Sequence, residues 1–420
     1  MGVYLPKYGA LWLRGSRVSS VAPPSLNDRR ERLNTSFTPY KAIFLPEWFA
    51  GRTKLRDRAA DAVNSSGRHI VVFGDRGTGK TSLARVLAIG VQEPDNATGL
   101  RSIIVSCSSN DDYSSIWRKV FQEVQVSQRQ IGFVQDATAP VIGRIEVGDE
   151  AIENPGDVRL WVRSLPNPTI IFIDEFDRVP VNGTHRLMAD TIKLFSDTGV
   201  ESTIIVVGVA DSIADLIAGH ESIARNIAQI QLLPMELGEL SQIVRQGYKY
   251  AELSFDKGLD DKIAELSQGY PAYTHLLGLW AGRHTLDAQR TTVTFGDLDA
   301  AIGDALENAA GNLQQEYERA VASVRKDNLF REVLLACALA GKDSLGRFAA
   351  VNVREPLHQI TGKDYETGAF QSHLAKFAEK QRGPVLKQTG TRRNYRWQFL
   401  NPQLIPYVRL NGIQTGLISR

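Results

Sequence analysis

Three features of this 420-residue sequence predict an α/β fold that continues into helices. Between about Trp48 and Pro234, the apolar runs "HIVVFGD", "SIIVSC", "TIIFIDEF", "STIIVVGV" and "IAQIQLL" alternate with amphipathic helical stretches. Strands that are continuously apolar are buried on both faces, which marks a parallel sheet covered by helices. After Pro234 the strands stop, and "ELGELSQIVRQGYKYAEL", "DDKIAELSQ", "PAYTHLLGLWAGRH" and "FGDLDAAIGDALENAA" carry apolar residues at helical spacing. From near Asp327, three helical stretches precede two short strands, "PVLKQ" and "YRWQF", around the turn "TGTRRN". Helix, helix, helix, β-wing is the order of a winged helix-turn-helix.

Read in order, residues 1–45 form an irregular arm with Pro23, Pro24, Pro39 and the charged "NDRRERLN", expected to pack on something rather than to fold alone. Residues 46–235 are the α/β core, 236–325 a helical lid and linker helix, and 326–420 the winged-helix domain. Residues 125–155 break the alternation and read as a loop or hairpin insertion. Several folded units agree with the length. The 43% hydrophobic and 23% charged content is that of an ordinary folded protein, and a net charge of +2 makes no argument for nucleic acid by itself. Cys107 and Cys337 lie in apolar runs, where an inert buried thiol is expected rather than a disulfide or metal ligand. No apolar run approaches the 18 or so residues of a membrane span, and the N-terminal stretch lacks the charged and apolar regions of a signal peptide. The expectation is a cytoplasmic protein without a membrane partner.

The stretch "VVFGDRGTGKTSLARVL" fits G-x-x-x-x-G-K-[ST] between a strand and a helix. Gly74, Asp75, Arg76, Gly77, Thr78 and Gly79 would curl backbone N–H groups around a β-phosphate. Lys80 would neutralise charge on the β- and γ-phosphates, Thr81 would place its hydroxyl on Mg²⁺, and Ser82 continues the helix N-terminus whose dipole favours the anion. In "TIIFIDEFDRV", Asp174 ends an apolar strand and is followed by Glu175. Placed beside the first strand, Asp174 can hold Mg²⁺ through water while Glu175 orients and polarises the attacking water, so hydrolysis is available. The alternative is a charged strand end that caps the next helix.

As an ordered set, these motifs resemble those of AAA+ ATPases, specifically proteins near the origin-recognition initiators and the STAND signalling ATPases, over roughly residues 46–415. The resemblance implies ATP and Mg²⁺ as ligands. It also implies that Gly51 and Arg52 of "WFAGRTKL" lie near the adenine and the lid, although Gly51 would serve equally as a turn residue. "STIIVVGVADS" resembles the sensor-1 strand, with Asp211 where initiators usually carry Asn; Asp211 either contacts metal-bound water or caps the next helix. Arg225 of "GHESIARN" falls where relatives present an arginine finger to a neighbouring subunit, which implies a homo-oligomer with ATP at its interfaces. "QGYPAYTHLL" resembles the STAND G-x-P element, with Pro271 against the base and without the sensor-2 arginine of many initiators. His275 nearby is expected to be a packed or exposed histidine rather than a phosphate ligand.

The C-terminal stretch "KFAEKQRGPVLKQTGTRRNYRW" gathers Lys376, Lys380, Arg382, Lys387, Arg392, Arg393 and Arg396 against the single acid Glu379. Phe370, Leu374 and Phe377 would bury one face of the third helix and leave Gln371, Ser372, Lys376 and Lys380 outward. That arrangement suits double-stranded DNA, with the helix in the major groove and Arg392 and Arg393 at the wing tip on the backbone or minor groove. Two functions follow as expectations. One is an ATP-hydrolysing protein whose nucleotide-dependent assembly controls DNA binding, as in initiators or transposition regulators. The other is a STAND-like switch, for example in phage defence, whose winged helix binds protein and which works through separate effector proteins.

Overall fold

The computed structural model describes residues 24–43, 49–91, 101–131, 152–165, 167–181, 183–210, 213–217, 223–323, 328–343, 345–391 and 394–420. Its contacts group the chain into two units, Ala42–Leu233 and, separately, Ala22–Lys41 with Pro234–Arg420. The helix Leu26–Ser36 (α1) therefore belongs with the C-terminal half of the chain.

The first unit runs Thr53–Val63 (α2), His69–Gly74 (β1), Lys80–Val91 (α3), Arg101–Ser106 (β2), Tyr113–Ile131 (α4), Pro155–Arg163 (α5), Thr169–Asp174 (β3), Gly183–Asp197 (α6), Thr203–Val209 (β4), Ile213–Leu216 (α7) and Ile227–Leu232 (β5). The five strands make one parallel sheet in the order β2-β3-β4-β1-β5. Both faces are covered, and the side chains of each central strand divide between them. Val71, Phe73, Ile171, Ile173, Ile204 and Val206 pack with Trp117, Phe121, Val158, Ile192 and Phe195 of α4, α5 and α6. Ile70, Val72, Ile170, Phe172, Ile205 and Val207 pack with Ala59 of α2 and with Leu83 and Ala84 of α3. Each fully buried side chain of this size contributes about 1.5–3 kcal/mol relative to exposure, so β1, β3 and β4 are firmly held.

This order corrects one expectation: β3 is not beside β1. β4 lies between them, with Ile205 opposite both Ile70 and Phe172. The tip of β4 therefore separates the end of β1 from Asp174. The expected insertion at 125–155 is also revised at its margins. Residues 125–131 extend α4, Pro155 opens α5, and residues 132–151 lie outside the described residues.

The second unit contains Leu237–Tyr250 (α8), Ser254–Phe255 (β6), Leu259–Ser267 (α9), Pro271–Asp287 (α10), Thr292–Val293 (β7), Phe295–Glu307 (α11), Gly311–Val321 (α12), Phe330–Leu339 (α13), Arg354–Thr361 (α14), Thr367–Phe377 (α15), Leu386–Thr389 (β8), Arg396–Phe399 (β9) and Leu404–Gln414 (α16). A Ser25/Asp28 capping box starts α1, which packs on α8 and α10. Glycines allow the close approach: a Cβ at Gly247 or Gly278 would overlap the Phe37 ring, and one at Gly282 would overlap Leu33. Arg32 pairs with Glu252, Arg30 with Asp287, and Arg283 donates to Asn34 at 2.8 Å. The part of the arm that is described thus docks on helices more than two hundred residues away in sequence.

α13, α14, α15 and the β8–β9 hairpin follow one another in an order compatible with a winged helix, and Phe348 and Trp397 exchange two 2.8 Å backbone hydrogen bonds as a third sheet edge. Phe370, Leu374 and Phe377 are fully buried, while Gln371, Ser372, Lys376 and Lys380 are exposed, as the helical spacing predicts.

Gly278→Ala should destabilise the protein by about 1–3 kcal/mol through overpacking against Phe37, measured by denaturant unfolding. Combined with Phe37→Ala, the two costs should sum to less than their separate values by about 0.5–3 kcal/mol, because the second change opens the space the first one fills.

Candidate nucleotide-binding site

β1 ends at Gly74, where the chain leaves the sheet as a loop that no bulkier residue could form. A Cβ at Gly74 would overlap the carbonyl oxygen of Leu232 on β5, and Gly77 and Gly79 have φ of 81° and 88°. These are left-handed conformations that glycine adopts without steric cost. The Thr78 hydroxyl donates to the Asp75 carbonyl at 2.8 Å and closes the loop. Lys80 opens α3 with its side chain folded back into the loop, where its ammonium donates to the Gly74 and Asp75 carbonyls at 3.0 and 2.7 Å. It is 8% exposed. Burial pulls its pKa from the ordinary 10.5 to about 8, against the opposing pull of Asp177, Asp75 and Asp174.

Across the tip of β4, Asp174 is buried and hydrogen-bonded to the Thr81 side chain. Its carboxyl is raised above the usual range by desolvation, and the Thr81 hydrogen bond and the Glu175 N–H, which donates at 2.8 Å, only partly offset this. Glu175 itself sits at φ 55° and is half exposed, with a 2.9 Å ion pair to Arg178. Beneath it the fully buried Phe176 anchors the turn in the core. The Cys107 N–H donates to the Asp174 carbonyl at 2.8 Å, and burial pushes the Cys107 thiol up to about 12, so it is inert as expected. Burial likewise raises the Cys337 thiol.

Two positions here were not singled out from sequence. Asp177 Oδ1 accepts from the Val209 N–H at 2.8 Å and joins the Asp174–Glu175 turn to the tip of β4. Gly208 permits this, because a Cβ there would lie 3.0 Å from Asp177 Oδ1 and 2.6 Å from Leu216. The signals were present as the second aspartate of "DEFD" and the glycine interrupting "IIVVGV".

Gly51 and Arg52 form a left-handed pair at φ 68° and 54°. The Arg52 guanidinium, 7% exposed, donates to the Thr78 carbonyl of the phosphate loop and, at 2.8 Å, to the Leu233 carbonyl at the end of β5. Ser82 Oγ accepts from the Ile43 N–H at 3.1 Å. Arg76 is exposed on the loop, and Arg225 is exposed in the short 3-10 turn Ala224–Asn226 just before β5. Asp211 lies outside the described residues. Pro271 is the first residue of α10 in the other unit. His275 is buried on α10, accepts from the Thr38 N–H at 3.4 Å and is held near a pKa of 4 by desolvation, a packed histidine.

Among the basic C-terminal residues, Lys376, Lys380 and Lys387 are exposed. Arg382 departs from the expected DNA-facing set. It donates to the Ala320 and Ala322 carbonyls at 2.6 and 2.8 Å and lies 3.5 Å over the Phe330 ring, so it caps the end of α12. Arg396 is half-buried and donates to Asn394 at 2.6 Å. Arg392 and Arg393 lie outside the described residues.

The donor set suits a magnesium-bound triphosphate. The Lys80 ammonium is bonded to carbonyls and not to a carboxylate, and a buried cation in that position favours an incoming anion. Thr81 and Asp174 together offer a hydroxyl and one carboxylate. That is the sparse protein contribution Mg²⁺ takes when phosphates complete its shell, and among the described residues no group of three or more His, Cys, Asp or Glu is arranged to hold a metal ion by itself. No described helix is long and apolar enough to cross a membrane.

In the free protein Lys80 is charged below about pH 8 and neutral above it. A bound phosphate favours the charged form, so binding above that pH must take up a proton. Nucleotide affinity, measured by titration calorimetry, should be flat below pH 8 and fall by up to about tenfold per unit above it. Lys80→Ala should bind weakly, with no such slope. Stability of the free protein has the opposite trend. The unfolded chain holds the proton up to 10.5, so Lys80 contributes rising stability from pH 8 to 10.5 as its charge is removed.

A Walker-type ATPase of Pyrococcus abyssi has the same fold: it matches 89% of this chain and 99% of its own length at 15% identity, with a TM-score of 0.54. The Aeropyrum pernix ORC2 protein in ADPNP–ADP complexes matches 91% of this chain and 98% of its own, at 14% identity and a TM-score of 0.48. The A. pernix ORC1 protein in complex with DNA matches 93% and 98%, at 14% identity and a TM-score of 0.45. No curated protein matches the sequence. The family model for novel STAND NTPase 1 matches residues 39–381, which takes in the phosphate loop, the Asp174–Glu175 strand end, the helical lid and most of the winged helix. With an AAA+ core, this phosphate loop and that match over most of its length, the chain belongs to the novel STAND NTPase 1 family of P-loop NTPases.

Proposed function

We propose that the protein is an ATP-hydrolysing switch whose nucleotide state governs engagement of its winged helix with double-stranded DNA. The observation that carries this reading is the convergence of Lys80, Thr81 and Asp174 at one loop, with Glu175 next in sequence and half exposed. Thr81 and Asp174 would hold Mg²⁺, which supplies charge neutralisation on the β- and γ-phosphates when bound. Lys80 takes the same phosphates, and the N–H groups of Gly77 to Ser82 line the cradle at the N-terminus of α3. Glu175 orients the attacking water and accepts its proton. Gly51 lies beside the base. Arg225, exposed ahead of β5, offsets transition-state charge at a neighbouring subunit's site, so that hydrolysis is coupled to homo-oligomer assembly, and Asp211 contacts metal-bound water.

On the DNA side, α15 offers Gln371, Ser372, Lys376 and Lys380 on its open face, while Lys387 and the wing residues Arg392 and Arg393 supply backbone contacts. A second reading has its own support. Arg382, one of the seven cations of the basic stretch, is committed to α12, which reduces the charge left for phosphate. Together with the family match, this favours a regulatory switch whose winged helix contacts a separate effector protein.

Glu175→Gln should lower ATP hydrolysis by about 10²–10⁴-fold and leave nucleotide binding intact, read by steady-state assay and by trapping of bound ATP. With ATP present, binding to a labelled duplex should weaken steeply between about 50 and 200 mM salt, and Lys376→Glu with Lys387→Glu should abolish it at either salt. A duplex that stays unbound at low salt would remove the DNA reading and leave the protein-binding switch.

A further inference from the structure

Among the described residues the chain passes between the two units at Lys41–Ala42 and Leu233–Pro234, and a residue at or next to each crossing is hydrogen-bonded to the phosphate loop or to the arginine that holds it. Near the first, the Ile43 N–H donates to Ser82 Oγ at 3.1 Å, one residue beyond Thr81. At the second, the carbonyl of Leu233, the last residue of the first unit, accepts from Arg52 Nη2 at 2.8 Å. The other arm of the same guanidinium donates to the Thr78 carbonyl within the loop. A guanidinium is a planar fork with fixed angles between its donors, so a shift of Thr78 either moves Leu233 or breaks one of the two bonds. The Arg52–Thr78 bond is buried, so no water replaces it when it breaks, whereas Leu233 is exposed and its bond to Arg52 is only partly shielded.

The surroundings hold this fork in place. Arg52 has a left-handed backbone that a side-chain-bearing residue rarely adopts, and such a conformation persists only where neighbouring structure enforces it. At the root of the loop, Gly74 lies so close to Leu232 that no Cβ would fit. The chain beyond Leu233 is stiff as well, because Pro234 lacks an N–H and restricts the residue before it to extended conformations.

We infer that Arg52 is a positioning residue that carries the state of the phosphate loop to the Leu233–Pro234 crossing, and that it acts on the second unit through this crossing and not by touching the nucleotide. The inference rests on the nucleotide reading proposed above and names the route by which that site reaches the rest of the chain. In a protein without a sensor-2 arginine in its lid, such a route lets the loop report through the backbone.

The test is hydrogen exchange on the full-length protein with and without Mg²⁺ and ATPγS, comparing wild type with Arg52→Lys, Arg52→Gln and Arg52→Ala, alongside the affinity for ATPγS and the thermal midpoint of each free protein. In wild type, exchange in a peptide spanning residues 228–240 should change by about tenfold or more when ATPγS binds. In Arg52→Lys and Arg52→Gln that nucleotide-dependent change should fall below about threefold, while ATPγS affinity stays within about fivefold of wild type. A lysine keeps the charge but not the fork, and a merely structural role would shift the thermal midpoint without erasing the nucleotide-dependent difference. Should Arg52→Ala fail to fold, the Lys and Gln variants decide. Retention of the full change in both variants overturns the inference, as does a wild type that binds ATPγS with no change at residues 228–240. A loss of affinity of about a hundredfold in Arg52→Lys makes Arg52 a direct nucleotide contact and also overturns it. A wild-type protein that does not bind ATPγS overturns the nucleotide reading itself.

Discussion

Everything at the centre of the first unit depends on keeping one ammonium dry. Lys80 is held by two carbonyls of the loop it follows, and burial works against its charge. Three carboxylates, Asp177, Asp75 and Asp174, favour that charge from nearby, while the buried guanidinium of Arg52 opposes it. Asp177 is exposed, so solvent screens its share, while Asp174 is buried and acts unscreened. A buried ammonium held by carbonyls, with the acids set back from it, favours an anion from outside. The glycines at 74, 77 and 79 follow from the same need, since only a backbone without Cβ atoms can curl tightly enough to bring two carbonyls to one nitrogen.

The sheet supplies the rigidity this requires. Placing β4 between β1 and β3 spaces the phosphate loop from Asp174 by one strand, and Thr81 closes that distance from the first turn of α3. Asp177 then returns from the far side to grip the β4 tip. The three strand ends are thus linked in a chain of hydrogen bonds from Thr81 through Asp174 and its turn to Val209, so Glu175 is presented on a braced corner and not on a free loop.

Much of this was legible in the sequence because it rests on local rules. The phosphate loop is a contiguous motif with a strand before and a helix after. The continuous apolar runs announced a parallel sheet, and the i, i+4, i+7 spacing of Phe370, Leu374 and Phe377 named the buried face of α15 correctly. The strand order was not legible in that way: five parallel strands can be arranged in several orders with the same apolar pattern, so the position of β4 escaped. Nor was the fate of individual cations. Arg382 and Arg52 look alike in the sequence to solvent-facing or ligand-facing arginines, and only the fold shows that each is committed to backbone carbonyls distant in sequence. Gly247, Gly278 and Gly282 read as ordinary helix residues until Phe37 and Leu33 are set against them.

That last contact bears on how the chain is made. Asn34 and its partner Arg283 are 249 residues apart. During synthesis at roughly 5–20 residues per second, α1 leaves the ribosome many seconds before its seat exists. Through that interval Leu33 and Phe37 are bare, and the nascent α/β unit can mature while its leading helix waits. A change in α1 would then be felt in α8 and α10 rather than in the unit that follows it in the chain.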